Sequence, residues 1–377
     1  MKRWVGLTVA VVIVSSLAVV SLEALLELST ARRLYRESRR RFHPFLQLVP
    51  PAEMDGINAE RFRGDPILLE KPALTLRIFT LGGSSTLGVS NRFEDTYPRL
   101  LQVRLQQQFP ALRIEVENAG VDWYTTAHSI INYNLRIRRF HPDIVVIMHA
   151  MNDLYRSFAP PWLASGPYQD DYSHYLGPEN GFVGPVTGLE RDYNRANWMF
   201  WPLLNHFIRR DPWPLGQSAE GIVRLRARMH EVPVSKFRSL DTFKENYEQL
   251  LRTIQSDSHA VIAVSEASIY RDGLSDEERR VLWFAPVFCA EQGQYPDLES
   301  MRSGMLQFNR AAETIAANRG VSFLDFAARV PRDLKHFQDD LHLTKAGNEI
   351  LADMVAVAIS AQPVPLLTAA GERHFGF

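Results

Sequence analysis

Five short apolar runs, each followed by a stretch of helical periodicity, constrain this chain more tightly than any other feature. They are Leu76–Leu81, Ile114–Val116, Asp143–Met148, Val261–Val264 and Val321–Leu324. Runs this short, and this rich in branched aliphatics, read as strands buried on both faces. A helix is expected after Asp95-Thr96, with Tyr97, Leu100, Leu101 and Leu105 on one face, and another from Thr126 to Arg139. Further helices carry Phe243, Tyr247, Leu250, Leu251 and Ile254, then run from Met301 to Asn318, stopped by Gly320. The last starts near Thr344 and is expected to turn Ile350, Leu351, Met354 and Val357 inward. Strand and helix in alternation predict an α/β fold, a central parallel sheet covered by helices on both faces.

Two segments break this rhythm. From about 157 to 238 the chain carries Pro160, Pro161, Pro185, Pro202, Pro212 and Pro214 among many aromatics, including Trp162, Tyr168, Trp198, Trp201 and Trp213. A structureless loop of that length is rare inside a compact domain, so an inserted cap is expected. Its rings either pack the cap's own core or form a substrate-binding or membrane-facing lid. At the N-terminus, Lys2 and Arg3 precede an uncharged run from Trp4 to Leu22, which as a helix would span about 28 Å, near the thickness of a hydrocarbon core. No small-x-small cleavage site follows it, so residues 1–27 read as an uncleaved signal anchor, a single transmembrane helix. The arginines at 32, 33, 36, 39, 40 and 41, counted literally, would put the following domain in the cytoplasm. They begin some way beyond the span, and the short basic start resembles a signal n-region, so an extracytoplasmic domain is favoured. Residues 28–70 then form a basic stalk and irregular linker, 71–362 the main domain with its insertion, and 363–377 a tail.

Composition excludes some classes. The net charge of −1 gives no electrostatic reason to expect nucleic acid as a partner. One cysteine, Cys289, permits neither an intrachain disulfide nor a cysteine-rich metal site. The histidines show no metal-ligand spacing, and no metal or organic cofactor is implied.

Ligands of an open parallel sheet bind beyond the carboxyl ends of its strands. The first three strands end in Gly82-Gly83-Ser84-Ser85-Thr86, in Asn118-Ala119-Gly120 and in Ala150-Met151-Asn152-Asp153, and Asp339-Asp340-Leu341-His342 precedes the last helix. These residues hold every part needed for acyl transfer through a serine. Ser84 is the candidate nucleophile, His342 the base that takes its proton, and Asp339 the carboxylate that orients the imidazole. Backbone N–H groups of Ser84 and Gly120 and the amide of Asn152 are candidate donors to an oxyanion. Asp340 is the alternative carboxylate and Ser85 the rival nucleophile. Gly83, Ser85, His149 and Asp153 are candidates to line the pocket.

These blocks resemble the signature of the SGNH/GDSL hydrolase superfamily, in the subset that carries Gly-Gly-Ser-Ser-Thr. The resemblance covers roughly 75–157 and 335–356. It implies a flavodoxin-like three-layer α/β/α fold, with Ser84, Gly120, Asn152 and the Asp339-x-x-His342 pair in the four catalytic blocks. Two departures stand out: Gly83 replaces the usual aspartate, and Ala150 the usual glycine. The activity implied is hydrolysis of carboxylic esters, with short acyl or acetyl groups the first expectation. The anchor points to an acylated carbohydrate or lipid at the cell envelope as substrate. Transfer of the acyl group to a sugar hydroxyl, or a non-catalytic envelope role on the same fold, are the alternatives.

Overall fold

The computed structural model describes residues 14–22, 25, 42–43, 45–158, 219–257, 260–289 and 293–367. Its centre is a parallel sheet of five strands: β1 (Thr75–Gly82), β2 (Arg113–Asn118), β3 (Ile144–Met148), β4 (Ala260–Val264) and β5 (Ser322–Leu324). The spatial order is β2-β1-β3-β4-β5. All eight residues of β1 and all five of β3 are buried, which is why these runs show no polar alternation. The order reverses direction between β1 and β3, and such a switch point leaves a crevice at the strands' carboxyl ends.

The main helices are α1 (Ser84–Leu87), α2 (Tyr97–Gln108), α3 (Thr126–Asn132), α4 (Met151–Tyr155), α5 (Leu240–Ser256), α6 (Leu298–Asn318) and α7 (Lys345–Ser360). On one face α2 packs against α7; on the other α5 packs against both α3 and α6. The helix expected from Thr126 to Arg139 changes pitch on the way, passing from α to a π turn at Tyr133–Ile137 and a 3-10 turn at Arg138–Phe140. His141, with φ of 51°, ends it. The inward face of α7 is Leu351, Ala352, Val355, Ala356 and Ile359, whereas Val357 is 73% exposed. The expected face was therefore rotated: Val355 and Ile359 lie four and eight residues beyond Leu351, the true helical repeat.

Part of the inserted segment falls within the described residues. A helix at Ala219–Arg226 leads to a strand at His230–Val232, which pairs in parallel with Gln294–Pro296. The proline- and aromatic-rich stretch at 159–218 lies outside the described residues, as do residues 1–13 and 26–41. Residues 14–22 are helical, with Val14, Leu17 and Val20 exposed. Among the described residues no helix is long and apolar enough to cross a membrane.

Candidate active site

The turn after β1 is built from two glycines against which neighbouring atoms pack closely. A β-carbon on Gly82 would lie 2.7 Å from the Met148 carbonyl oxygen of β3, and one on Gly83 would lie 2.5 Å from Nδ2 of Asn152. Ser84 then opens α1, a single turn closed by Gly88 in the left-handed region, φ 73°. The carbonyls at the end of that turn are held by a buried guanidinium. Arg63 donates to the oxygens of Leu87 and Gly88, both at 2.8 Å, and to that of Asn91 at 2.9 Å. Charge-assisted bonds of this kind fix a one-turn helix that could not persist alone.

A second loop brings His342 to this turn. Gln338 N–H donates to the His342 carbonyl, and Thr344 N–H to that of His336, which closes the loop on itself before α7. Asn91, from the loop after α1, donates to the Leu343 carbonyl at 2.9 Å and ties the two loops together. The result is a hydrogen-bonded chain: Ser84 Oγ lies 2.8 Å from His342 Nε2, and His342 Nδ1 lies 2.7 Å from Asp339 Oδ2. A carboxylate can only accept, so Nδ1 carries the proton and Nε2 is left to accept from the serine hydroxyl.

Asp339 is saturated with donors. Its Oδ1 accepts the N–H groups of Leu341 (3.0 Å) and His342 (2.9 Å), and its Oδ2 accepts the Trp283 indole N–H (2.9 Å) besides the imidazole. Burial opposes its ionisation, but the His342 charge and these bonds outweigh burial and hold the carboxyl below the usual range. For His342 burial likewise works against charge, and the neighbouring Asp339 carboxylate wins, keeping the imidazole above its ordinary 6.5.

The rivals go elsewhere. Asp340 turns away from the imidazole and accepts from Tyr270 Oη (2.8 Å) and from the N–H groups of Trp283 (2.7 Å) and Phe284 (3.2 Å), at the start of the short helix Phe284–Phe288. Burial and the adjacent Asp339 push its carboxyl up to about 6. Ser85 is 4% exposed and faces inward, toward the buried Glu266.

Asn152 stands in the first turn of α4, and its amide donates to the Tyr124 carbonyl at 3.0 Å while lying against Gly83. An amide nitrogen carries two hydrogens, so this bond leaves one for a ligand. Gly120 requires a correction as an oxyanion donor. Its N–H is engaged by Asn118 Oδ1 at 2.9 Å, and its α-carbon packs on the far end of α1, where a β-carbon would meet Leu87 N at 2.7 Å. Four residues further on the Tyr124 carbonyl lies beside Gly83, and the charge of Asp122 in the same stretch favours the protonated His342. Within it Trp123 adopts φ of 64°, rare for so large a residue, which carries the chain sharply around the site.

His149 and Asp153 also require correction, since neither lines an open pocket. Asp153 is fully buried and accepts from the Thr126 hydroxyl (2.6 Å) and N–H (3.2 Å), so it caps α3. His149 meets Ser129 Oγ at 2.7 Å, and burial lowers its pKa to about 3, which keeps it neutral. Glu266 was not singled out by its sequence context. It accepts the N–H groups of Ala150 (2.8 Å) and Met151 (2.7 Å) on one oxygen and so fixes the start of α4, from which Asn152 projects. Only its position two residues beyond β4 could have signalled it.

Aromatic rings form a file away from the imidazole. Trp283 lies against His342, Phe284 against Trp283, Trp123 against Phe284 at 5.8 Å between centroids, and Tyr155 beside Trp123. A cavity of 440 Å³ opens elsewhere, between α6 and the ends of β4 and β5, where Glu266, Asn309, Asp325 and Arg332 line it. Ser84 and His342 do not border it. Among the described residues no group of histidine, cysteine and carboxylate side chains could hold a metal ion. Cys289 is buried, and burial pushes its thiol up to about 12, an inert form.

The family described as GDSL-like Lipase/Acylhydrolase matches residues 80–350. No curated protein matches the sequence. Among solved structures, an acetyl xylan esterase is 12% identical, covering 75% of this chain and 98% of its own, with a TM-score of 0.42. An acetylxylan esterase from Geobacillus stearothermophilus is 15% identical over 82% of this chain and 97% of its own, with a TM-score of 0.41. An alpha/beta hydrolase from the metagenome of Lake Arreo, Spain, is 13% identical over 78% and 97%, with a TM-score of 0.41.

Proposed function

This chain belongs to the GDSL-like lipase/acylhydrolase family of serine ester hydrolases, and we propose that it cleaves short-chain acyl esters through an acyl-enzyme on Ser84. The observation that carries this reading is the continuous chain from Ser84 Oγ through His342 to Asp339, at 2.8 and 2.7 Å. His342 Nε2 takes the hydroxyl proton as Oγ attacks the acyl carbon, and Asp339 stabilises the imidazolium that forms. The oxyanion of the tetrahedral intermediate is met by the Ser84 N–H at the start of α1 and by the second amide hydrogen of Asn152. His342 then returns the proton to the departing alcohol, and a water activated by the same nitrogen releases the acid.

The matched family description, lipase/acylhydrolase, supports a carboxylic ester as substrate, and a short acyl or acetyl group is the reading we carry forward. The uncharged run from Trp4 to Leu22 supports a single-pass anchor with the enzyme outside the cytoplasm and its ester, an acylated carbohydrate or lipid, at the envelope. Hydrolysis of p-nitrophenyl acetate and butyrate by the full chain, compared with Ser84→Ala, tests the chemistry. Activity in the wild type and a loss of at least about 10³-fold in the variant is expected. Equal rates in both, with no labelling of Ser84 by a fluorophosphonate, would rule this reading out.

A further inference from the structure

The residue joining the two consecutive carboxylates of the histidine loop has no assigned part in the chemistry. We propose that Trp283 is a positioning residue of the hydrolytic site, whose indole locks Asp339 and His342 in their reactive orientation. The proposal rests on the reading of Ser84, His342 and Asp339 as the hydrolytic machinery.

Three contacts carry it. The indole Nε1–H donates to Asp339 Oδ2 at 2.9 Å, the same oxygen that holds the imidazole Nδ1–H at 2.7 Å. The indole plane lies within 14° of the imidazole plane, with ring centroids 6.3 Å apart. The backbone N–H of the same residue donates to Asp340 Oδ2 at 2.7 Å. An ionised carboxylate offers about four acceptor sites, and with Leu341, His342 N–H, the imidazole and the indole all four on Asp339 are taken. It therefore has no alternative rotamer that satisfies its partners. Without the indole donor one site falls empty, the carboxylate can turn, and the imidazole it orients loses its fixed direction toward Ser84. Nothing about the fold demands this bond, since the backbone of Trp283 is already held by Asp340 and its ring by Phe284.

The indole also sets how strongly Asp339 attracts the imidazole proton. The charges acting on His342 are Asp339, which bonds it, and at longer range Asp122 from the loop after β2 and Asp340, all favouring the protonated ring. Tyr270 stands behind Asp340. An N–H donor on Asp339 Oδ2 offsets part of the carboxylate charge, so its removal strengthens the hold on the imidazole proton.

Trp283→Phe keeps an aromatic ring and the backbone donor while removing the indole N–H along with part of the ring volume. In the full chain, kcat for p-nitrophenyl acetate is expected to fall about tenfold with KM within twofold, and the acidic limb of the pH–rate profile to move to higher pH. Proton NMR of the imidazole, read independently of turnover, should show the His342 titration moving in the same direction and its downfield Nδ1–H resonance broadening. A His342 midpoint and Nδ1–H signal identical in the two proteins would overturn the positioning role, whatever the rates. If the NMR signals move but neither protein hydrolyses esters, the positioning role stands and the proposed function falls. Should Trp283→Phe fail to fold, indole emission of the wild type titrated against His342→Gln decides. A quench following His342 protonation in the wild type alone supports the contact, and identical curves refute it.

Discussion

The Asn152 amide nitrogen occupies the space that a side chain at position 83 would need: a β-carbon on Gly83 would come within 2.5 Å of it. A side chain at this position, such as the aspartate of the usual signature, would meet that amide. Because the obstructing atom is the tip of a side chain, Gly83→Ala should fold normally while swinging Asn152 off the Tyr124 carbonyl. Loss of one oxyanion donor typically costs 10²–10³ in kcat, roughly the ceiling for this variant. We expect a fall of about 10²-fold in kcat, little change in KM and a melting temperature lowered by only a few degrees, the cost of one buried hydrogen bond. Full activity in Gly83→Ala would show that Asn152 does not serve the oxyanion.

Adjacent carboxylates separate the two roles of the histidine loop. Asp339 reaches His342 Nδ1, while Asp340 is bound by Tyr270, Trp283 and Phe284. Asp339→Asn should lower kcat by about 10³–10⁴, as loss of the orienting acid does in triads. Asp340→Asn keeps an acceptor for its donors and should stay within about tenfold of wild type. Equal losses in both variants, measured at matched folded fraction, would contradict the division of labour.

The strands were legible in the sequence because a strand buried on both faces leaves a run without alternation, as in β1 and β3. Helix existence was equally legible, but the facing of α7 was not: a helix with apolar residues nearly all round leaves the inward stripe undecided, and Val357 fell on the wet side. The reach from Ser84 to His342, 258 positions apart, was visible only through the order of the motifs. Gly120 shows the limit of that approach. A glycine after a strand signals a close approach but not to what, and here it approaches Thr86 and Leu87 rather than substrate. Trp283 and Glu266 act through one hydrogen-bonding edge each, and nothing local in the sequence marks such an edge.

The pH profile follows from the carboxylates around the imidazole. The proposed base, His342, could accept a proton only when neutral, and Asp339 holds its pKa above 6.5 against burial. Activity should therefore be lost as pH falls, with the half-maximal point of kcat/KM above pH 6.5. Asp340 also favours the charged ring, so Asp340→Asn should move this limb to lower pH. An acidic limb below 6.5 in the wild type would contradict the electrostatics of the site.

Stability should carry a separate signature, from Glu117 on β2. This side chain is 1% exposed and is held by Asn58 Nδ2 at 2.9 Å, away from the serine. Burial first, and the Glu115 charge second, push its carboxyl up from 4.5 to about 8. A carboxyl with a raised folded-state pKa contributes its full stability below the unfolded value and loses it as pH rises through the folded one. The window is thus pH 4.5 to about 8, within which one proton changes stability by at most about 1.4 kcal/mol per pH unit. Glu117→Gln has no proton to lose and can still accept from Asn58, so urea midpoints at pH 5.5, 7 and 8.5 should fall less steeply than in the wild type. The variant should be the more stable of the two at pH 8.5. Parallel slopes for the two proteins would mean that Glu117 ionises in the folded state as it does in water, and that the charge of Arg77 outweighs its burial.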